Sequence, residues 1–548
     1  MRHMRNRLAE VLGVALLFVV TGAGQPAHAQ PAAKDCLPLK PAGTQGGALL
    51  PGGLMNVRFG GSTREPLALD VYPHADTAAR PLAVVLRGGK GTVGQRSSYV
   101  GQLVELFGDA GYVAATVDYR SGGGDAAAED LTAALRMLTT CHAAALHVDQ
   151  YRTVLVAEDS AAPVALRVAA RLLELRLGRF AGAPAAPASV VIVGGRFAGA
   201  TLPAVPTRIV HGGADSEVPV AEARTACAKA TAACEVVEVP GASHRVENWW
   251  PSQWGYKAAL IASLAPRVGL VPAAARAAAR ADGLRKRVVY DTAHGLSLDA
   301  WVPSTPGPHG AVVLVHGGGW EAGDRVTYIA PMLALAASRG LAWVSIDYRL
   351  TPAVTNREQV ADVQAALQYV RAHATDLRID PKRLVLVGES ASGQLVTLVG
   401  SRDPLLAGIV SFYGVYDLEA MAGDPSNPRS LARRLFGITR LDDAAVATLR
   451  QHSPLHQSPE SARSQPPTLL VVGTADRLVA EYRAYLMHLA VNLANAEGIE
   501  IEGAPHGMEA WHEEPAWRVW EQKVGDWISA RVGGDQAQGS RLRAQRAH

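Results

Sequence analysis

Two glycine-rich motifs in the second half of the chain contain residue types that nucleophilic catalysis needs. HGGGW spans residues 316–320 and GESASG spans residues 388–393, and each follows an apolar run typical of a buried strand, AVVLV and RLVLV. At Ser390 the strand pattern changes to a helix pattern, and a sharp turn there would expose the serine oxygen. The glycines of the first motif would let backbone N–H groups approach a developing oxyanion. The predicted N–H donors are Gly318, Gly319 and Ala391.

A serine nucleophile also requires a general base and an acidic residue that orients the base. Asp476 follows the strand-like run TLLVVGTA, and His506 follows a second strand-like run, EGIEIEGAP. We predict that His506 accepts the proton of Ser390 and returns it to the leaving group, while Asp476 fixes the imidazole tautomer. The fifth position of the serine motif holds Ser392 instead of glycine, and serine is small enough for the tight turn.

An internal repeat changes the interpretation of the whole chain. PLALDVYP recurs as LSLDAWVP and ATVDYR recurs as VSIDYR, so that Asp70 and Asp299, like Asp118 and Asp347, are 229 positions apart. GGAD and GASHRVENW recur in the same order as GTAD and GAPHGMEAW. Matches that keep one order along the chain predict a tandem duplication.

Each copy alternates short runs of β-branched residues with Ala- and Leu-rich helical stretches. This pattern predicts an α/β fold with two tandem domains, each a mostly parallel, doubly wound sheet flanked by helices. The second copy has a longer stretch between the serine and the acid, where we expect a small lid over the site. The predicted boundaries are a signal peptide at 1–29, a first domain at 30–265, a linker at 266–286, a second domain at 287–530 with the lid near 417–465, and a disordered tail at 531–548.

The first copy has lost parts of both motifs. RGGKG replaces HGGGW, and AEDSAAP stands in the place of the serine motif. Counting from the strand aligns Asp159 with Ser390, whereas matching DSA with ESA aligns Ser160 with it instead. Because an elbow without its glycine is costly, we expect a structural or binding role for the first domain. The residues of a possible second active site are Ser160, Asp215 and His244.

The first thirty residues have the pattern of a cleaved signal peptide, with a basic start, a ten-residue apolar core and a small-residue cleavage site at Ala27 to Ala29. The apolar core is about half the length that a membrane-spanning helix needs. We therefore expect a periplasmic or extracellular protein without stable membrane insertion. Such a compartment permits disulfides, and we favour the pairs Cys36–Cys141 and Cys227–Cys234 over free thiols.

Charge and motif content argue against a nucleic-acid partner and against a metal site. The net charge is only +3, and the Lys and Arg residues are spread along the chain, so no nucleic-acid partner is expected. The sequence contains neither CxxC nor HExxH, so we expect no metal site.

VLVHGGGW, SIDYRL, LVGESASG, GTADRLV and APHGM resemble the α/β-hydrolase fold. Within that fold they resemble carboxylesterases of the hormone-sensitive-lipase-like group and the bacterial feruloyl-esterase-like group. The resemblance is strong over residues 286–530 and weak in the first copy. It implies hydrolysis of a small-molecule or polysaccharide-linked carboxylic ester through an acyl-enzyme on Ser390, with no cofactor.

Two other functions stay open at this point. Kynurenine-formamidase-like enzymes share HGGxW, so a peptidase or amidase could use the same three residues. From a different class, the chain could be a non-catalytic pseudohydrolase that binds its ligand without cleaving it. The sequence does not decide the acyl group, the alcohol or the oligomeric state.

Overall fold

The computed structural model describes residues 36–41, 50, 53–62, 66–74, 76–88, 100–120, 124–177, 183–197, 201–244, 283–326, 328–424, 430–479, 481–492, 495–511 and 515–533. No helix within these ranges is long and apolar enough to cross a membrane. The predicted signal peptide and most of the predicted linker and tail lie outside the described residues, so their assignments stay predictions.

The first domain is built on an eight-stranded sheet with the order β1-β2-β4-β3-β5-β6-β7-β8. Its first two pairings are antiparallel and the remaining five are parallel. The strands are β1 Leu54–Gly61, β2 Pro66–Tyr72, β3 Arg80–Leu86, β4 Val113–Val117, β5 Val148–Glu158, β6 Ser189–Val193, β7 Thr207–Gly212 and β8 Cys234–Val239.

The second domain repeats this arrangement, with the order β9-β10-β12-β11-β13-β14-β15-β16. The predicted α/β fold class with two mostly parallel sheets is therefore confirmed, whereas the duplication itself remains an interpretation of the sequence. The strands are β9 Leu284–Asp291, β10 Leu296–Trp301, β11 His309–Val315, β12 Ala342–Ile346, β13 Ile379–Glu389, β14 Gly408–Phe412, β15 Thr468–Gly473 and β16 Ala496–Ile501.

Helices pack on the sheets. The helices of the first domain are α1 Gly101–Asp109, α2 Gly124–Arg136, α3 Ala162–Leu177 and α4 Val220–Ala228, with a π-helical turn at Met137–Cys141 and a 3-10 turn at Asp159–Ala161. Those of the second are α5 Ala330–Ser338, α6 Asn356–Ala372, α7 Ala374–Leu377, α8 Ala391–Gly400, α9 Leu418–Gly423, α10 Leu431–Leu435, α11 Asp443–Gln451, α12 Pro459–Ser464, α13 Tyr482–Asn492, α14 Met508–Trp511 and α15 Val519–Val532, with 3-10 turns at Pro454–His456 and Pro515–Arg518.

Strands β4, β6, β12 and β14 are buried along their whole length because both faces of each sheet are covered. In β11, Val313 and Val315 pack into one buried cluster, while Val312 and Leu314 pack into another on the opposite face. This alternation follows from the two-residue period of a strand. The central strands are thereby fixed by packing on two sides, which gives rigid strand ends for the loops described below.

The predicted linker boundary is wrong by three residues. Strand β9 begins at Leu284, whereas the linker was predicted to extend to residue 286. This edge strand, LRKRVVYD, carries three cationic residues in its first four, and such a composition hides its strand character. At the other end, α15 continues to Val532, slightly into the predicted tail.

Both favoured disulfides are present in the structure. Cys36 is bonded to Cys141, and Cys227 is bonded to Cys234. The first bond connects the segment before β1 to the end of the π-helical turn, and the second connects α4 to the start of β8. Both lie in the first domain.

Candidate active site

The predicted site residues of the second domain come together at the carboxyl ends of adjacent parallel strands. Strand β13, which precedes Ser390, lies between β11 and β14 in the sheet, and β15 and β16 follow in order. His506 follows β16, and Asp476 follows β15. Loops at the same edge of a parallel sheet converge, which is where α/β folds bind ligands.

Ser390 occupies a sharp turn between β13 and α8. Its backbone has φ 55° and ψ −119°, a conformation that is strained for a residue with a β-carbon. Gly388 permits this turn because a β-carbon there would lie 2.5 Å from the carbonyl oxygen of Ser392. The Ser392 hydroxyl donates to the carbonyl of Val315 at 2.7 Å and so connects the turn to the neighbouring strand.

The three polar side chains form one hydrogen-bonded chain. His506 Nε2 lies 2.9 Å from Ser390 Oγ, and His506 Nδ1 lies 2.7 Å from Asp476 Oδ2. The other carboxylate oxygen of Asp476 accepts the N–H groups of Leu478 and Val479 at 2.8 and 3.2 Å. The aspartate is thus held in one orientation, and the imidazole that donates to it presents Nε2 to the serine hydroxyl as a proton acceptor.

The loop at residues 316–320 lies beside this turn because β11 and β13 are paired, with Val315 opposite Gly388. Gly317 donates its N–H to Glu389 Oε1 at 2.6 Å and is therefore already engaged. Within the described part of the chain, the N–H groups of Gly318, Gly319 and Ala391 have no hydrogen-bond acceptor. These are the three donors that the sequence predicts, and they are available for a substrate oxygen.

Burial disfavours the charged form of His316, the first residue of this loop. The imidazole is 1% exposed and stacks on Tyr348 with ring centroids 4.4 Å apart. Burial lowers the pKa of His316 to about 4, although the nearby Asp324 carboxylate acts in the opposite direction. The residue therefore has a structural role in the loop at neutral pH.

Gly318 gives a direct test of the loop geometry. Its φ is +102°, and a β-carbon would lie 2.3 Å from the carbonyl oxygen of Ala322. Gly318→Ala should displace an oxyanion donor and lower kcat by about 100-fold or more in steady-state ester hydrolysis. Gly340→Ala is the matched control, because Gly340 also has a positive φ but no atom within 4 Å of the added carbon. Equal kcat values for the two variants would contradict the assigned role of Gly318.

The segment between β14 and β15 lies against the same loop. Helix α10 brings Leu431 over Gly319, where a β-carbon on the glycine would lie 3.1 Å from Leu431 Cδ2. Arg434 of the same helix forms an ion pair with Glu321 at 2.6 Å. The first domain has only residues 194–206 at the corresponding position, between β6 and β7. Part of the stretch near 417–465 thus lies beside Gly319 and Glu321, and its role as a lid stays a prediction.

In the first domain the structure places Asp159, and not Ser160, at the position of Ser390. Asp159 directly follows β5 and has a positive φ of 43°, while Ser160 lies one residue further along in the 3-10 turn. The preceding residue gives the same alignment, since Glu158 accepts the N–H of Gly88 at 2.7 Å as Glu389 accepts that of Gly317.

Asp215 and His244 are paired like Asp476 and His506 of the second domain, but the residues around His244 Nε2 differ. His244 Nδ1 lies 2.8 Å from Asp215 Oδ2, and His244 Nε2 lies 3.4 Å from Asp159 Oδ1. Arg196 donates to the same oxygen of Asp159 at 2.8 Å and also contacts His244 Nε2 at 3.1 Å. Arg196 thus contacts His244 Nε2, the imidazole nitrogen that would have to accept the proton of a nucleophile. Ser160, Asp215 and His244 therefore do not form a serine triad here.

Two contributors to the second-domain site escaped prediction. Tyr413, just after β14, accepts the N–H of Met508 at 2.7 Å, and its ring centroid lies 4.6 Å from that of His506. Glu389 holds Gly317 as described above. The signal for Glu389 was present, because a glutamate stands at the end of the corresponding strand in both copies. Tyr413 had no such signal.

One cluster of possible metal ligands occurs among the described residues, formed by Asp417, Glu419 and His456. Glu419 is already paired with Arg450 at 2.5 Å, and the three residues lie in the segment between β14 and β15. The expectation of no metal stays a prediction.

Comparisons with known proteins find relatives that are named esterases. Residues 298–491 match the family model BD-FAE. Esterase LipC of Mycobacterium tuberculosis is 28% identical over 251 residues, which cover 41% of this chain and 60% of the relative. Carboxylesterase NlhH of the same species is 36% identical over 95 residues, which cover 17% of this chain and 30% of the relative. The chain thus spans less than two thirds of the length of these relatives.

Solved structures of esterases are also similar to part of this chain. Carboxyl esterase 2 of Tuber melanosporum covers 46% of this chain with 88% of its own, at 22% identity and a TM-score of 0.40. The carboxylesterase EstE1 from a metagenomic library covers 44% with 85% of its own, at 24% identity and a TM-score of 0.38. The predicted resemblance to α/β-hydrolase carboxylesterases is confirmed, and the family-model match falls within the second domain.

Proposed function

We propose that the chain is a serine hydrolase that cleaves carboxylic esters through an acyl-enzyme formed on Ser390. The observation that carries this proposal is the hydrogen-bonded chain from Ser390 through His506 to Asp476, beside unoccupied backbone donors. His506 accepts the serine proton as the hydroxyl oxygen attacks the ester carbonyl, and the N–H groups of Gly318, Gly319 and Ala391 stabilise the oxyanion. The protonated His506 then donates to the leaving alcohol, and water repeats the sequence on the acyl-enzyme.

The choice between ester and amide rests on a paired substrate comparison. We expect wild-type protein to hydrolyse p-nitrophenyl acetate and a feruloyl aryl ester faster than the matching anilides. The reason is that an alkoxide or phenoxide leaves more readily than an amine. The measurement is kcat/KM for each ester and anilide pair, with Ser390→Ala as the background control. Faster cleavage of the anilides would favour the amidase alternative.

We also propose export to an oxidising compartment with cleavage before Gln30. The basic, apolar and small-residue pattern of the first thirty residues supports it, and so do the two disulfides. Non-reducing peptide mapping of the protein from its native compartment should give a mature start at Gln30 and both bonded cysteine pairs. Intact Met1 or free thiols in that material would contradict the proposal.

A further inference from the structure

The two domains meet directly behind the loop at residues 316–326. A cavity of about 360 Å³ at this junction is lined by Gln102, Glu105, Leu106 and Asp109 from the first domain and by seven residues of the second. His316, the first residue of the HGGGW motif, is one of those seven. The domain contact is therefore adjacent to the segment that carries the candidate oxyanion donors.

Ion pairs cross the junction between α1 and the end of this loop. Glu105 contacts Lys286 at 2.5 Å and Arg325 at 3.8 Å, and all three side chains are at most 14% exposed. Arg325 also contacts Asp299 at 2.9 Å and Asp347 at 2.9 Å. Ion pairs with so little solvent exposure are screened weakly, and removal of one partner leaves the others uncompensated.

Apolar packing crosses the junction at the next residue. Val326 is 2% exposed and belongs to a buried cluster whose other members come from the first domain. That cluster includes Leu103, Val104 and Phe107 of α1. The loop that begins with the candidate oxyanion donors thus ends at Val326, and the side chain of Val326 lies in the core of the first domain.

Only a few residues connect the anchored end of the loop to the candidate oxyanion donors. The carbonyl of Gly318 accepts the N–H groups of Glu321 and Ala322 at 3.2 and 3.0 Å, which closes a tight turn. A β-carbon on Gly323 would lie 2.5 Å from His316 Nδ1, so the returning chain packs directly on the start of the loop. Only two residues separate Ala322 and Arg325, so a displacement of the anchor must move the turn.

The acidic residues of α1 are not repeated in the corresponding helix of the second domain. The corresponding helix of the second domain is α5, which begins 229 positions after α1. At that offset, Ala334 and Ser338 stand in place of Glu105 and Asp109. The repeated architecture therefore does not require these charges, whereas the junction uses both, since Asp109 also pairs with Arg287.

We propose that α1 of the first domain is a clamp that fixes the oxyanion loop of the second, with Glu105 as a positioning residue and Val326 as the apolar anchor. This inference rests on the proposed function of the second domain. It gives the first domain, whose own site is blocked by Arg196, a role in the reaction at Ser390. Catalysis then requires both domains in one chain.

The test uses Glu105→Gln and Val326→Ala in the full-length chain, with Glu174→Gln as the matched control because Glu174 is an exposed residue of α3. Displacement of an oxyanion donor weakens transition-state binding more than substrate binding. We expect kcat for p-nitrophenyl acetate to fall about 10-fold in both variants, less than for loss of a donor. KM should stay within about twofold of wild type, and Glu105→Asp should recover part of kcat.

Hydrogen–deuterium exchange provides a second readout that does not depend on turnover. Backbone amides of residues 321–326 should exchange faster in Glu105→Gln than in Glu174→Gln. The clamp would be overturned if both junction variants kept kcat within twofold of the control and the exchange of these amides were unchanged. Wild-type protein without ester hydrolysis would overturn the proposed function instead, and the exchange measurement would still test the clamp.

Discussion

Ser390→Ala should lower kcat for ester hydrolysis by about 10⁵- to 10⁶-fold while leaving the fold intact. The hydroxyl of Ser390 lies 2.9 Å from His506 Nε2, and its removal eliminates the acyl-enzyme route. Ser160→Ala is the matched control in the first domain and should keep kcat within about twofold of wild type. Steady-state kinetics on p-nitrophenyl acetate, with circular dichroism of both variants, make the comparison.

Two results would contradict this prediction in different ways. A Ser390→Ala protein with kcat near that of wild type would show that another nucleophile is used or that the second domain is non-catalytic. A large loss of kcat in Ser160→Ala would show that the first domain contributes chemistry despite the contact between Arg196 and His244.

Asp476→Asn should lower kcat by about 10⁴-fold. The carboxylate holds His506 Nδ1 at 2.7 Å and is itself fixed by the N–H groups of Leu478 and Val479. An amide can present its NH2 group to the imidazole, which favours the tautomer whose Nε2 carries the proton and cannot accept the proton of Ser390.

Asp215→Asn is the matched control for this substitution. Asp215 has the same geometry in the first domain, where it lies 2.8 Å from His244 Nδ1 and accepts the N–H groups of Glu217 and Val218. It should keep kcat within about twofold of wild type, so the pair compares one chemical change in two similar settings, which differ in that Asp215 Oδ2 also lies 3.1 Å from His211 Nε2. Similar losses in both variants would mean that the effect is on folding and not on the imidazole tautomer.

The sequence alone was sufficient to bring the three side chains of the candidate site together. Ser390, Asp476 and His506 each follow a strand-like run, and parallel strands bring their carboxyl ends to one edge. Strand-end position therefore determines proximity even between residues more than a hundred positions apart, such as Ser390 and His506. The backbone donors followed from the same reasoning, because β11 is paired with β13.

The first-domain elbow could not be decided from the sequence. Asp159 and Ser160 fit two alignments that differ by one residue, and both are plausible at a strand end. The backbone decides between them, since only Asp159 has the positive φ and follows the glutamate that accepts the glycine N–H. Arg196 lies on another strand-end loop, after β6, and its contact with His244, which follows β8, depends on the order β6, β7 and β8 in the sheet.

The contacts at the domain junction could not be predicted from the sequence either. Glu105 and Arg325 are separated by more than two hundred positions, and no periodicity relates one domain surface to another. The domain boundary was predicted inside β9 because the cationic residues at the start of this strand resemble the preceding linker, yet Lys286 in that strand is part of the junction.

The most direct test of the account is labelling with a fluorophosphonate probe followed by peptide mapping, in wild type and in Ser390→Ala. The probe reacts with a serine that a neighbouring base activates and that has an oxyanion hole. Wild type should carry the label on Ser390 alone, and Ser390→Ala should carry none. Absence of label from wild type, or label on Ser160, would contradict the assignment of catalysis to the second domain.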